Sequence, residues 1–211
     1  MRARLILALS GAALISACHT GDFPDYPDAR MNILAPPPAP PPPPPPPPEI
    51  APPRALPGIA PLTEDNIGPY MDRQEAELRR ALRDAGIRVV REGDNLILTI
   101  DEDIIFAHDS AVPDRRARDT VGTLAAILRT YRATYVDVDG FTDTTGAFDY
   151  NIALSQARAD SIADLLMREG VSSARVNARG FGERNLRVPT PDGVPEPLNR
   201  RVEITLEPYL G

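Results

Sequence analysis

The chain has 211 residues, a formal net charge of −7, and 25 prolines but no tryptophan. All 23 basic residues are Arg, with no basic block. That argues against nucleic acid, whose phosphates demand a basic stripe, and against an anionic membrane surface. An N-terminal segment and a proline tract set aside, roughly 150 residues remain, enough for one ordinary domain.

Arg2 and Arg4 precede an apolar run from Leu5 to Ile15, followed by Ser16, Ala17 and Cys18. The run is far shorter than the about 20 residues a spanning helix needs, and residues 1–17 read as a signal peptide. Cys directly after Ile-Ser-Ala is similar to a bacterial lipobox. That resemblance implies an acylated Cys18 at the new N-terminus, held in membrane lipid by more than one chain. His19, in place of the Asp that favours inner-membrane retention in enterobacterial lipoproteins, implies the outer membrane, on its periplasmic face. Cys18 is the only Cys, so no intrachain disulfide forms.

Residues 18–62 read as a linker. Pro36 to Pro48 is proline apart from Ala39. Proline fixes φ and lacks a backbone donor, so this tract is predicted to be a polyproline II rod of about 40 Å. The span from His19 to Leu62, equally extended, would reach roughly 130 Å. A ligand for an aromatic-lined groove is the rival reading.

Residues 63–101 read as a helix and a hairpin. Thr63 can cap a helix starting near Glu64, with Met71, Leu78, Leu82 and Ala85 on one stripe and Gly86 as its stop. Ile87 to Arg91 and Leu96 to Ile100 alternate about a Gly93-Asp94 turn.

Residues 102–211 carry the main pattern. Ile104 to Phe106 is expected to end a strand. Pro113 suits a first helical position, and Val121, Leu124, Ile127 and Leu128 mark the buried face of a helix to about Arg132. Thr134 to Asp139 alternates, with Val136 and Val138 on one side. A helix follows from about Phe148 to Arg168, with Leu154, Ile162, Leu165 and Leu166 as its core face. Arg175 to Phe181 is a weaker strand, and Val202, Ile204 and Leu206 mark the last. Strands alternating with helices predict an α/β (α+β) two-layer sandwich with a mixed sheet, in the order βαβαββ.

Two segments are specific. Gly140 to Ala159 reads GFTDTTGAFDYNIALSQARA, and Asn199 to Ile204 reads NRRVEI. Together they resemble the peptidoglycan-binding domain of the OmpA-like family, which includes the Pal lipoproteins. The resemblance implies recognition of the stem-peptide residue meso-diaminopimelate, whose free end carries an ammonium and a carboxylate on one carbon. Asp143 matches the family's acid, which accepts from the ammonium. Arg158 matches its base, whose planar fork suits a carboxylate. Asn151, Ser155 and Arg158 lie four and three apart, so they share a helix face and Asn151 can reach the same ligand. Asp109 falls where the family often has a polar residue lining the pocket. Arg200 and Arg201 match the paired Arg; one should face the pocket and the other brace the fold, and Arg201 is taken as the pocket residue. Phe141 stands where the family often has His. The loop from Asn185 to Leu198 is proline-rich where many relatives have Thr and Gly.

Catalysis is not expected. His19 and His108 are the only histidines, and no nucleophile elbow, phosphate loop or zinc-protease motif is present. No cofactor or metal is expected; in Asp137-Val-Asp139-Gly140 the Gly comes too early for a calcium loop and no Glu closes it. The reading is an outer-membrane lipoprotein tethering that membrane to the cell wall through non-covalent peptidoglycan binding. The alternative is an envelope assembly factor or wall-modifying enzyme that uses this domain for placement, with an envelope protein as partner of the 63–101 unit.

Overall fold

A computed structural model describes residues 55–106 and 110–211. The signal segment, Cys18, the proline rod and Asp109 lie outside the described residues. Among the described residues no helix is long and apolar enough to cross a membrane.

Helix α1 runs Glu64–Ala81, and Leu78, Met71 and Ile67 line its buried stripe. The Asn66 carboxamide accepts from the Thr63 N–H at 2.8 Å, holding the first turn. Strands β1 (Arg88–Glu92) and β2 (Asn95–Asp101) form the expected hairpin, Glu92 opposite Asn95. Gly93 takes the positive φ of 59° that this tight turn needs.

The expected strand end at Ile104 to Phe106 is a single helical turn instead, α2 (Glu102–Ile105). The Phe106 N–H closes it on the Glu102 carbonyl at 2.9 Å. The turn swings Ile105 and Phe106 into the core, and only Phe106 pairs on, in one bridge to Pro113. Helix α3 (Arg115–Thr130) starts two residues beyond Pro113, because Asp114 caps it by accepting from the Ala117 N–H at 2.7 Å. Strand β3 is Thr134–Phe141, helix α4 Phe148–Arg168, strand β4 Val176–Gly182 and strand β5 Arg201–Pro208. The βαβαββ order is met with β2 as its first strand, and α1 and β1 extend it.

The five strands form one mixed sheet in the order β1-β2-β5-β3-β4. Only β3 and β4 run parallel, which their connecting helix requires. Leu98, Ile100, Val136, Val138, Val202, Ile204 and Leu206 pack into the same core as Met71 and Leu78 of α1, Leu124 and Leu128 of α3, and Ile162 and Leu166 of α4. Leu154 is only half-buried; the inner face of the first half of α4 is Asn151, Ser155 and Arg158.

Helix α4 lies unusually close to β3 and β4. A Cβ on Gly140 would come within 2.2 Å of the Ser155 carbonyl oxygen, and one on Gly180 within 2.3 Å of the Gln156 nitrogen. Gln156 accepts from the Gly180 N–H at 2.7 Å, and Ser155 Oγ accepts from the Gly182 N–H at 2.9 Å. Side chains of α4 thereby close the exposed edge of β4.

Candidate functional site

Four charged side chains meet where β2, β3 and β5 end beside the first half of α4. The ladders deliver them. Ile100 pairs with Val202 and Asp101 with Arg201, so the next step sets Glu102 against Arg200, and the Glu102 N–H reaches the Arg200 carbonyl at 3.1 Å. Strand β3 ends at Phe141, opposite Arg201, and Asp143 follows it.

The cluster alternates in sign. Arg200 Nη1 lies 2.8 Å from Asp143 Oδ2, and Arg200 Nε 3.5 Å from Glu102 Oε2. Glu102 Oε1 in turn accepts from Arg158 Nη2 at 2.5 Å. Asp143 and Arg158 thus belong to one network, two side chains apart. Asp143, Arg158 and Glu102 are 2%, 3% and 5% exposed, so water screens these contacts little. Arg158 Nε donates to the Ser110 carbonyl at 3.0 Å, and its guanidinium sits 5.5 Å from the Phe106 ring centre.

Burial works to raise the Asp143 carboxyl. Hydrogen bonds from the Thr145 hydroxyl, Arg200, and the Thr145 and Glu196 N–H groups outweigh it and hold the group below its usual value. For Glu102 the balance reverses. Burial pushes its carboxyl up, and Arg158 and Arg200 offset only part of that.

Asn151 shares the inner face of α4 with Arg158, as its spacing predicts, and its amide turns to the chain around Asp143. Its amide donates to the Thr145 carbonyl at 3.0 Å and to Glu183 Oε2 at 2.8 Å, with the Asp143 carbonyl at 3.4 Å. It braces the turn that carries Asp143. Arg201 is not brought into the cluster. It donates to Glu203 at 2.7 Å and to the Asn199 and Asn185 carbonyls at 3.1 Å, and stacks 3.9 Å over the Phe141 ring. The member of the pair that joins the cluster is Arg200. Strand parity explains this: Val202, Ile204 and Leu206 face the helices, so Arg200 shares their side and Arg201 the other. Phe141 lies with Arg201, its ring stacked on Phe181 at 5.3 Å.

The proline-rich loop between β4 and β5 folds over this end. Thr144 Oγ1 donates to the Pro191 carbonyl at 2.7 Å, and Thr144 O accepts from the Gly193 N–H at 2.8 Å. Glu196 N–H reaches Asp143 at 3.2 Å, and Asn199 pins Val188 through two 2.8 Å bonds. Among the described residues no group of three His, Cys, Asp or Glu side chains is placed to hold a metal. Asp137 and Asp139 lie on β3 and engage Asn177 and Arg179.

Sequence reasoning did not single out Glu102. The signal was present: it continues the Leu96, Leu98, Ile100 stripe, so a charge falls where the core face points.

A mixed sheet with its helices on one face and an alternating acid–base cluster at its end defines an α/β two-layer domain. Residues 105–200 match the OmpA family, and the chain carries a domain of that family. The probable lipoprotein YiaD of Escherichia coli K12 is 42% identical over 142 residues, 67% of this chain and 65% of that protein. The peptidoglycan-associated lipoprotein of Legionella pneumophila is 31% identical over 49% of this chain and 58% of its own length. The cell wall anchor of the type VI secretion system (T6SS) of Pseudomonas aeruginosa has the same fold, with a TM-score of 0.57 and 28% identity over 66% of this chain and 99% of that one. The chain thus spans less than two thirds of the length of either curated relative.

Proposed function

We propose that this chain is an outer-membrane lipoprotein that binds the diaminopimelate stem peptide of peptidoglycan without a covalent bond. It tethers the membrane, through acylated Cys18, to the wall. The observation that carries this reading is that Asp143 and Arg158 lie in one buried charge network. A zwitterion needs an acid and a base a few ångströms apart, in a site dry enough for each charged hydrogen bond to count about 1.5–3 kcal/mol. The names of the relatives support it: two are lipoproteins, one of them peptidoglycan-associated, and one solved structure is a cell wall anchor. Asn151 supports the ligand indirectly, through the Asp143 turn. Asp109 is carried as a pocket residue by the resemblance alone, and Arg200, not Arg201, takes the place of the paired Arg in the site. Binding through one domain is modest, and many copies on one polymer compensate. The chain acts here by binding, not catalysis.

Sedimentation with purified sacculi tests the reading. Wild-type protein co-sediments, and Asp143→Ala and Arg158→Ala remain in the supernatant while still folded. Co-sedimentation of both variants at the wild-type level would remove the site. Soluble muropeptides released by the purified protein would favour an enzyme. Mass spectrometry of the mature N-terminus checks the lipid on Cys18.

A further inference from the structure

Two members of the cluster are arranged like a ligand themselves. Arg200 places a cation on Asp143 at 2.8 Å, Glu102 places a carboxylate on Arg158 at 2.5 Å, and the two lie 3.5 Å from each other. An amino-acid head group presents the same pattern, with its cation toward Asp143 and its anion toward Arg158. We propose that the Glu102–Arg200 pair is a built-in surrogate for the ligand head group, and that Glu102 is the group a ligand carboxylate must displace from Arg158. The inference rests on Asp143 and Arg158 being the ligand's seats.

Three observations support it. First, Arg158 is already engaged: Nε on the Ser110 carbonyl, Nη2 on Glu102, and Phe106 near the guanidinium. Arg158 is 3% and Glu102 5% exposed, so a second carboxylate reaches that edge only as Glu102 leaves. Second, the hold of Glu102 is incomplete. Its Oε2 is buried without a hydrogen-bond partner, and burial raises its carboxyl. A fully satisfied carboxylate would resist exchange more strongly. Third, the exchange conserves charge. One carboxylate replaces another at Arg158 and one cation replaces another at Asp143, so no buried charge is left uncompensated. Glu102 opens the single-turn helix α2, an element with little internal hydrogen bonding to break. The cluster lowers the apparent affinity by the cost of moving the surrogate, and it keeps two buried charges satisfied before the wall is reached.

Calorimetric titration of the full chain with meso-diaminopimelate tests this. Glu102→Gln keeps the size and removes the competing charge, and it is expected to bind about tenfold more tightly, the equivalent of one charged hydrogen bond. Glu102→Asp retains the charge but withdraws it, which guards against a misfolded Gln variant; it too gains affinity, by less. Adding Arg158→Ala to either abolishes the gain. If both Glu102 variants fold, and bind no more tightly than wild type while Arg158→Ala loses binding, the surrogate is overturned and the site assignment stands. If Arg158→Ala binds like wild type, both fall together. A structure of the complex in which Glu102 still holds Arg158 would also overturn the surrogate.

Discussion

The two ends of the helical layer each bury an arginine, and they hold it differently. At the end of β3 near the start of α4, Arg158 is held by a carboxylate, Glu102, and by a single main-chain oxygen, that of Ser110. At the opposite end, Arg175 just before β4 is 4% exposed and is held by oxygens of the chain itself: the Thr134, Leu128 and Tyr131 carbonyls at 2.6–2.8 Å and Thr134 Oγ1 at 3.0 Å. Among the described residues no carboxylate forms an ion pair with it; burial lowers it to about 10, with Tyr70 raising it and Arg132 lowering it further. The carbonyls near the C-terminus of α3 carry partial negative charge, so Arg175 doubles as the cap of that helix. The contrast separates two uses of one residue type. A guanidinium on main-chain oxygens has partners that cannot be exchanged without unfolding. A guanidinium on a side-chain carboxylate has a partner that another carboxylate can replace.

The largest effect should come from breaking the fixed end. Arg175→Met strands buried carbonyls of α3 and β3, each costing about 1–3 kcal/mol, for a total loss of about 5 kcal/mol. Chemical denaturation reads the loss, and the molecules that remain folded should bind sacculi as wild type does. No second substitution rescues it, because its partners are backbone.

The exchangeable end behaves otherwise. Arg158→Leu alone leaves the buried Glu102 carboxylate without its hydrogen-bonded partner and with only Arg200, at 3.5 Å, as counter-charge, a loss of about 3 kcal/mol. Adding Glu102→Leu removes the stranded group, and an apolar pair of similar volume should bring stability back to within about 1 kcal/mol of wild type. Sacculus binding stays absent in both. Stability that fails to return in the double variant would mean that the Ser110 carbonyl, the main-chain oxygen on Arg158, matters as much as the carbonyls on Arg175 do.

This contrast was only partly legible in the chain. The apolar periodicities of α1, α3 and α4, the Gly93 turn and the alternation of β3 and β5 located the elements, since burial of one face dictates them. Ile104 to Phe106 misled because a three-residue apolar run carries no period, and the capping that selects a helical turn depends on the approach of β5. Asp143 and Arg158 were visible through the family motif. Arg200 could have been chosen over Arg201 by continuing the parity of Val202, Ile204 and Leu206. Glu102 was harder: its partners lie 56 and 98 positions away, and no local spacing relates them. Arg175 has no signature at all, because its partners are main-chain oxygens that every residue possesses.

Acid titration gives the finest discrimination between the two ends, since only the site end holds a carboxyl whose hydrogen bonds favour its charged form. The Asp143 carboxyl is held below its ordinary value, so it contributes stability above that value, and the contribution is lost as pH falls through the lowered one. Glu102 and Asp139 are raised by burial and shift the opposite way, gaining on acidification. Asp139 is present in wild type and in Asp143→Asn alike and cancels from the difference; Glu102 is coupled to Asp143 through Arg200, so the same comparison on a Glu102→Gln background removes its share. At neutral pH Asp143→Asn should be less stable by about 2 kcal/mol, the order of the charged hydrogen bonds it weakens. The two denaturation midpoints should then converge as pH drops below the ordinary aspartate range, near about 4. A difference that stays constant down to the acid limb would mean that the Thr145, Glu196 and Arg200 contacts do not favour the ionised carboxylate, and that the seat assigned to the ligand's ammonium lacks the charge to hold it.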